Sequence, residues 1–403
     1  MDVYVARQPI FDREKHLHAY EFLFRDGLSN AFPDIDGDTA TSRLLANTFF
    51  TIGIDRLAGR KKFFVNFTRA LLIKRVPTMF PPDRLVVEIL EDVEPEPDLV
   101  EACREIAAAG YTVALDDFLF RPELKPLIEL AHIIKIDLRQ TPTSRAEKLI
   151  QALGGHQLTF LAEKVETYEE FEQAREMGFA LFQGYFFSKP EIVQGKAISP
   201  AKITLLQLIR ETRRPDCDID GLDRFINRDV SLSYKLLRYI NSTFFRRRME
   251  ITSIRHAITL LGERELRQFI ALVATAELAQ DKPQELIRST IIRARFCELL
   301  GEQSRSPMDT SELFLLGLLS QIDAMLDTKM SAVMETLPLS DRLKNALVSG
   351  TGALAGFLDL VTAYESGDWK NCTRLIESVG CDPVAVPDHY MEAVEWADAY
   401  SKL

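Results

Sequence analysis

Cysteine is scarce: the chain has five, at positions 103, 217, 297, 372 and 381, with no C-x-x-C pair and an odd total. That excludes a disulfide framework and a thiolate metal site, and it suits buried free thiols in a reducing compartment. Positive charge is in deficit. With 49 Lys and Arg against 60 Asp and Glu, the formal charge is -11 and the pI about 5.3. Neither direct nucleic-acid binding nor an anionic membrane surface is expected as a partner, because phosphate binding is mostly charge neutralisation by Lys and Arg. No window approaches the ~18 uninterrupted apolar residues of a membrane span. The opening residues, Met1-Asp2-Val3-Tyr4-Val5-Ala6-Arg7, carry neither the basic segment nor the apolar core of a signal peptide. The expected location is the cytoplasm. What remains, 46% hydrophobic and 27% charged residues over 403 positions, is an ordinary globular composition long enough for two or three domains.

Short apolar runs recur at 63–67, 85–89, 112–116, 133–137, 159–163 and 180–184, their starts 21 to 27 residues apart. Helical periodicity fills the gaps, as in Leu99-Val100-Cys103-Ile106-Ala107 and Phe171-Ala174-Met177. Strand alternating with helix at this spacing signals parallel βα units. Upstream, runs at 3–6 and 19–24 flank the turn-like Asp12-Arg13-Glu14-Lys15, so a hairpin-like pair is expected to open the series, followed by a helix across 39–59. Beyond Pro190 and Pro200 strand signals largely disappear, and apolar residues take helical spacing, as at 203–209, 232–240, 254–261, 266–273, 313–319 and 354–361. The boundary predicts an α/β domain at 1–200 and an all-α domain at 201–403. The basic run Arg246-Arg247-Arg248 beside Glu250 reads as a solvated helix end or loop.

The strands end in polar residues: Glu21, Asn66, Glu88, Asp116 with Asp117, Lys135 with Asp137, Glu163, and Gln183. Any one of these reads as a solvated loop residue. Together they converge on one rim if the sheet closes into a (β/α) barrel, the face where such barrels carry their chemistry. Glu21, Asn66, Glu88 and Asp116 are hard oxygen donors suited to Mg²⁺, Mn²⁺ or Ca²⁺, with Mg²⁺ or Mn²⁺ the expected ion, and Asp117 stands ready to bridge a second ion. Two such cations activate water for displacement at phosphorus, with Lys135 to orient or deprotonate that water or to neutralise phosphate, and Arg25 to fork onto a phosphate.

The segments Glu21-Phe22-Leu23-Phe24-Arg25, Val65-Asn66-Phe67, Glu88-Ile89-Leu90-Glu91, Asp116-Asp117-Phe118, Lys135-Ile136-Asp137, Glu163-Lys164-Val165-Glu166 and Gln183-Gly184-Tyr185 follow one another in order. In that order and spacing they resemble the motifs E-A-L-x-R, E-I-T-E, D-D-F, K-I-D, E-G-V-E and Q-G of the EAL domain, the barrel phosphodiesterase for the bacterial second messenger cyclic di-GMP. The resemblance implies a first metal held by Glu21, Asn66, Glu88 and Asp116 and a second served by Asp117. It also implies water positioning by Lys135 and Glu163, a loop supported by Glu166, and substrate held by Arg25 and Gln183. The chain departs from the pattern at Phe22, where the family has Ala, and in Asp117-Phe118-Leu119-Phe120-Arg121-Pro122, where both glycines of D-D-F-G-x-G are gone. In the family that loop couples the second metal to dimerisation, so a homodimer is part of the same expectation.

In the second half, residues 229–242 followed by Ile254-Arg255-His256-Ala257-Ile258-Thr259-Leu260-Leu261-Gly262 resemble an HDOD domain, a helical relative of HD-type phosphohydrolases. Ser320 and Gln321 stand where catalytic relatives present a His-Asp pair, and one imidazole, His256, builds no metal site. The whole chain thus resembles the EAL-HDOD class of signalling proteins. The expectation is metal-dependent hydrolysis of cyclic di-GMP to the linear dinucleotide, with the helical half as an interaction module for a protein partner. Its rival is a sensor or scaffold that keeps the pocket and turns nothing over.

Overall fold

The computed structural model describes residues 3–26, 54–91, 93–155, 157–189, 226, 235–237, 239–240, 254–279, 281–305, 308–337 and 339–400. Eight strands, β1 (Val3–Phe11), β2 (Leu17–Asp26), β3 (Lys62–Phe67), β4 (Leu85–Ile89), β5 (Thr112–Leu115), β6 (Ile133–Asp137), β7 (Thr159–Glu163) and β8 (Leu181–Gln183), close into a barrel in chain order. All neighbours run parallel except β1, which is antiparallel to both β2 and β8. The β1–β2 hairpin turns where the Asp12 carboxylate accepts the backbone N–H groups of Glu14 and His16 and Lys15 takes a positive φ. Helices Pro97–Ala108, Thr143–Leu153 and Tyr168–Met177 each follow a parallel strand and bury an apolar face.

The strand register builds the interior in layers. One side chain from every strand, Ile10, Ala19, Phe64, Val86, Ala114, Ile133, Leu161 and Leu181, forms a single buried apolar cluster. Side chains alternate across a strand, so the next inward position lies two residues on. For the parallel strands that position is the polar residue found at each strand end. For β1, which runs the other way, it is two residues back, at Gln8. Phe22, by contrast, points out of the barrel and stacks on Phe63 at 5.3 Å, which is why a large side chain is tolerated beside Glu21.

Beyond the barrel the described chain is helical. Ile254–Leu278 is broken at Gly262, whose φ of 80° is not helical, so the two apolar segments at 254–261 and 266–273 are separate rods. Helices Gln284–Gln303 and Thr310–Leu319 cross at glycines: a Cβ on Gly317 would stand 2.3 Å from the Arg293 carbonyl oxygen, and one on Gly301 would stand 2.1 Å from Leu313 Cδ1. Helices Asp341–Ser349, Ala353–Glu365, Trp369–Val379 and Val386–Tyr400 follow. The chain forms two compact units, Met1–Phe187 with Tyr364–Trp369, and Ser188–Ala363 with Lys370–Leu403. The helix expected across 39–59 and the segments at 203–209 and 232–240 lie outside the described residues apart from Ile54–Ala58, 235–237 and 239–240, all helical. No single helix among the described residues is long and apolar enough to cross a membrane.

Candidate active site

The polar layer lies immediately above the apolar one. Lys135, on β6, is fully buried, and its Nζ stands 2.7 Å from Glu88 Oε1, 2.7 Å from Asp116 Oδ1, 2.9 Å from Glu163 Oε1 and 3.3 Å from Glu21 Oε2. An ammonium has three N–H bonds, so four carboxylates cannot all be served. Glu88 and Asp116 meet it as ion pairs outside hydrogen-bond alignment. Asn66 Nδ2 donates to Glu21 Oε1 at 3.1 Å, and Gln183 Nε2 donates to Glu21 Oε2 at 2.7 Å and to Gln8 Oε1 at 2.9 Å. Glu21 is thereby held from three sides.

Four carboxylates against one ammonium leave three formal negative charges in a closed space. Burial, then the Glu21 charge, pushes the Glu88 carboxyl well above its ordinary value, although Lys135 opposes this. Burial likewise raises Glu163, to about 8, against the pull of Lys135 and with the help of Asp116 and Glu21. Burial works against the Lys135 ammonium, yet the four surrounding carboxylates hold it well above the usual lysine range. The group therefore stays cationic at neutral pH, suited to orienting and neutralising rather than to removing a proton.

The remaining site residues stand apart from this cluster. Asp117 follows Asp116 with φ 38°, its carboxyl raised by burial and by Asp116, with Lys164, Asp137 and Glu91 as its other charged neighbours. Glu166 sits outside the barrel mouth, pairing with Arg139 at 2.8 Å, and its backbone N–H donates to Glu170 in a turn whose Thr167 side chain caps helix Tyr168–Met177. Arg25 lies in β2, but its side chain is outside the described residues. After Asp117, Phe118 is buried and its N–H donates to the Lys135 carbonyl, whereas Leu119 and Phe120 are 45% and 51% exposed. Gln8 escapes a reading of strand ends because it sits inside β1, where the polar stretch Arg7-Gln8-Pro9 interrupts the apolar pattern. The signal lies in the register, since Gln8 pairs opposite Glu21.

Among the described residues no group of three or more His, Cys, Asp or Glu side chains is arranged to hold a metal ion as it stands. The Lys135 ammonium occupies the point on which the carboxylates converge. The donor chemistry nonetheless fits a hard divalent cation once that ammonium gives way. All donors are oxygens, and Asn66 Oδ1, Glu88 Oε2 and Glu163 Oε2 are buried with no hydrogen-bond partner.

The EAL domain profile matches residues 40–190 and the HDOD domain profile residues 199–339. The cyclic di-GMP phosphodiesterase CdgJ of Vibrio cholerae serotype O1 is 39% identical over 403 residues, spanning 99% of this chain and 93% of that protein. The uncharacterised protein YuxH of Bacillus subtilis is 38% identical over 404 residues, spanning 98% of each. Among solved structures, Klebsiella pneumoniae BlrP1 in its calcium and cy-diGMP complex aligns at 19% identity and a TM-score of 0.39, over 47% of this chain and 56% of that one.

Proposed function

The chain belongs to the EAL-HDOD family of two-domain proteins, and from that premise we propose that its barrel hydrolyses cyclic di-GMP to the linear dinucleotide with Mg²⁺ or Mn²⁺, while the helical half serves as a regulatory module for a protein partner. The polar layer carries this reading: four carboxylates and one ammonium, closed in above an apolar floor, lack cationic charge. Glu21, Asn66, Glu88 and Asp116 would hold the first ion and Asp117 a second. A divalent cation bound there polarises phosphoryl oxygens and lowers the pKa of water.

The chain's own residues do the rest. Lys135 stays protonated and orients water against the phosphodiester while neutralising its charge. Glu163, whose carboxyl burial pushes up to about 8, would accept the water proton once ionised, the form that a bound cation favours. The water oxygen bonds to phosphorus as one ribose oxygen leaves and takes up a proton, which opens the ring. Gln183, fixed by Gln8, faces the substrate, with Arg25 as a second contact on the strength of the resemblance. Glu166 acts at a distance, tying its loop to Arg139. The reading divides the chain at 1–200 and 201–403 and places it in the cytoplasm, in keeping with buried cysteines outside any disulfide at 103, 297, 372 and 381.

A sensor without turnover is the second reading, favoured by the glycine-free loop that exposes Leu119 and Phe120. Incubation of the full chain with cyclic di-GMP and Mn²⁺, repeated on Glu21→Ala, separates the two. Linear product from wild type and none from the variant supports the enzyme. Tight nucleotide binding with no product supports the sensor.

A further inference from the structure

One turn from the C-terminal helices belongs to the barrel unit. Residues Tyr364–Trp369 join helices Ala353–Glu365 and Trp369–Val379 and pack with Met1–Phe187, whereas Ala363 and Lys370 on either side belong to the second unit. The Gly367 N–H donates to the Tyr364 carbonyl at 3.1 Å and the Trp369 N–H to the Gly367 carbonyl at 2.9 Å, and the buried Tyr364 ring stands edge-on to Trp369 at 5.3 Å. Gly367 has φ 69°, and a Cβ there would stand 2.6 Å from Leu23 Cδ1. Glycine alone suits both the backbone and the approach. Leu23 lies two residues beyond Glu21 on β2, so it shares the inward face one step nearer the C-terminal end of that strand.

The same turn reaches the polar layer. Gln8 Nε2 donates to the Ser366 carbonyl at 3.1 Å, Gln183 Nε2 donates to Gln8 Oε1 at 2.9 Å, and that Nε2 also donates to Glu21 Oε2 at 2.7 Å. A backbone carbonyl can only accept, so it dictates which end of the Gln8 amide faces it. Gln8 then turns its oxygen to Gln183, and Gln183 must answer with nitrogen. This order leaves Gln183 Oε1 buried with no hydrogen-bond partner, a costly state for an acceptor. Were the Gln8 amide reversed, its nitrogen would meet Gln183 Oε1, and Gln183 Nε2 would leave Glu21. The Ser366 carbonyl opposes that reversal, because Gln8 would then set oxygen against oxygen.

We propose that the turn Tyr364–Trp369 is a positioning element of the barrel site. Seated, its Ser366 carbonyl orders Gln8 and Gln183 so that Glu21 is held for a divalent cation; unseated, it releases Glu21, so that a pull on either flanking helix lowers cation affinity. This rests on the metal reading given above and adds a means of regulating it. Mn²⁺ is titrated into the full chain by calorimetry, and hydrogen exchange at 364–369 is followed by mass spectrometry with and without the ion. Gly367→Ala forces the turn off Leu23 and is expected to weaken Mn²⁺ binding about tenfold, within the usual range of coupling between sites. Leu23→Ala makes room, so in that background Gly367→Ala should no longer weaken binding. Gln8→Leu breaks the relay, is itself expected to weaken binding about tenfold, and should make binding indifferent to Gly367→Ala. A turn that served stability alone would not lose its effect in this way, since independent changes add. Coupling is reciprocal, so Mn²⁺ should slow exchange at the turn in wild type and not in Gln8→Leu, a comparison that stands even if Gly367→Ala fails to fold. Undiminished affinity in Gly367→Ala, a further loss when it is added to Gln8→Leu, or wild-type exchange at the turn unmoved by bound Mn²⁺ would overturn the proposal. A wild type that binds no Mn²⁺ would instead sink the metal reading, and this inference with it.

Discussion

Lys135 and Glu88 face each other across the barrel interior, Nζ to Oε1 at 2.7 Å, and neither side chain reaches solvent. A buried pair of this kind contributes little net stability when intact but is costly to break, because the partner left behind is an uncompensated buried charge. Here the ammonium balances not one carboxylate but four. Lys135→Met should therefore lower the stability of the chelator-treated protein by about 3 kcal/mol and abolish turnover, while Mn²⁺ affinity persists or rises. Urea unfolding with and without Mn²⁺ measures this. A variant as stable as wild type without metal would mean that Lys135 does not hold these carboxylates together.

The Glu163 carboxyl sets a pH dependence. Its value is raised from the ordinary 4.5 to about 8 in the folded chain, so between those values the folded state binds more protons than the unfolded one. Stability of the metal-free protein is then expected to rise as pH falls from about 8 towards 4.5, the reverse of a salt-bridged carboxylate. Glu163→Gln should flatten this part of the curve, and added Mn²⁺ should invert it. Thermal unfolding in chelator across this window is the measurement. Equal slopes in wild type and Glu163→Gln would remove Glu163 as the cause.

Gly184 couples the last strand to the site. Its φ is 146°, and a Cβ there would stand 2.0 Å from the Val165 carbonyl oxygen and 2.5 Å from the Val165 nitrogen. That backbone is held in place by the Val165 N–H donating to the Gln183 carbonyl at 3.0 Å, and it directly follows Glu163 and Lys164. Gly184→Ala must push the segment away. The expected cost is about 3 kcal/mol of stability together with a Mn²⁺ affinity at least tenfold weaker, read by calorimetry on the folded fraction. Unchanged affinity would show that the segment after β7 does not position the site.

Much of the barrel is legible in the sequence because buried parallel strands read as nearly unbroken apolar runs. The expected bounds 85–89, 133–137 and 159–163 coincide with β4, β6 and β7. β1 extends to Phe11, well past the expected 3–6, because Arg7 and Gln8 sit within the strand: the Arg7 guanidinium lies over the Tyr20 ring at 4.7 Å and Gln8 joins the polar layer. The period-two register, not composition, assigns Gln8 to that layer. What the sequence cannot convey is depth. Glu166 and Glu163 are three residues apart in one motif, but one pairs with Arg139 outside the mouth and the other touches Lys135. Only the turn through Lys164, at positive φ, separates them.

The helical half is expected to hold no metal. Gln321 is buried, and its Oε1 accepts the Ser289 hydroxyl at 3.0 Å and the Thr290 hydroxyl at 2.7 Å, so its polar head is committed to structure. Ser320 Oγ donates back to the Gly317 carbonyl at 2.7 Å, one turn earlier in the same helix. The nearby carboxylate of Asp323 accepts the Ala324 N–H, and burial raises its carboxyl, which disfavours the charged form a metal would need. A neutral amide and a hydroxyl are weak ligands for a transition metal in place of an imidazole and a carboxylate. The full-length double variant Glu21→Ala, Asp116→Ala should therefore retain no stoichiometric metal when purified, as measured by plasma mass spectrometry, while keeping the helix content and the cooperative unfolding of the second unit. One equivalent of zinc, iron or manganese surviving in that variant would place a metal centre in the helical half and give it a chemistry of its own.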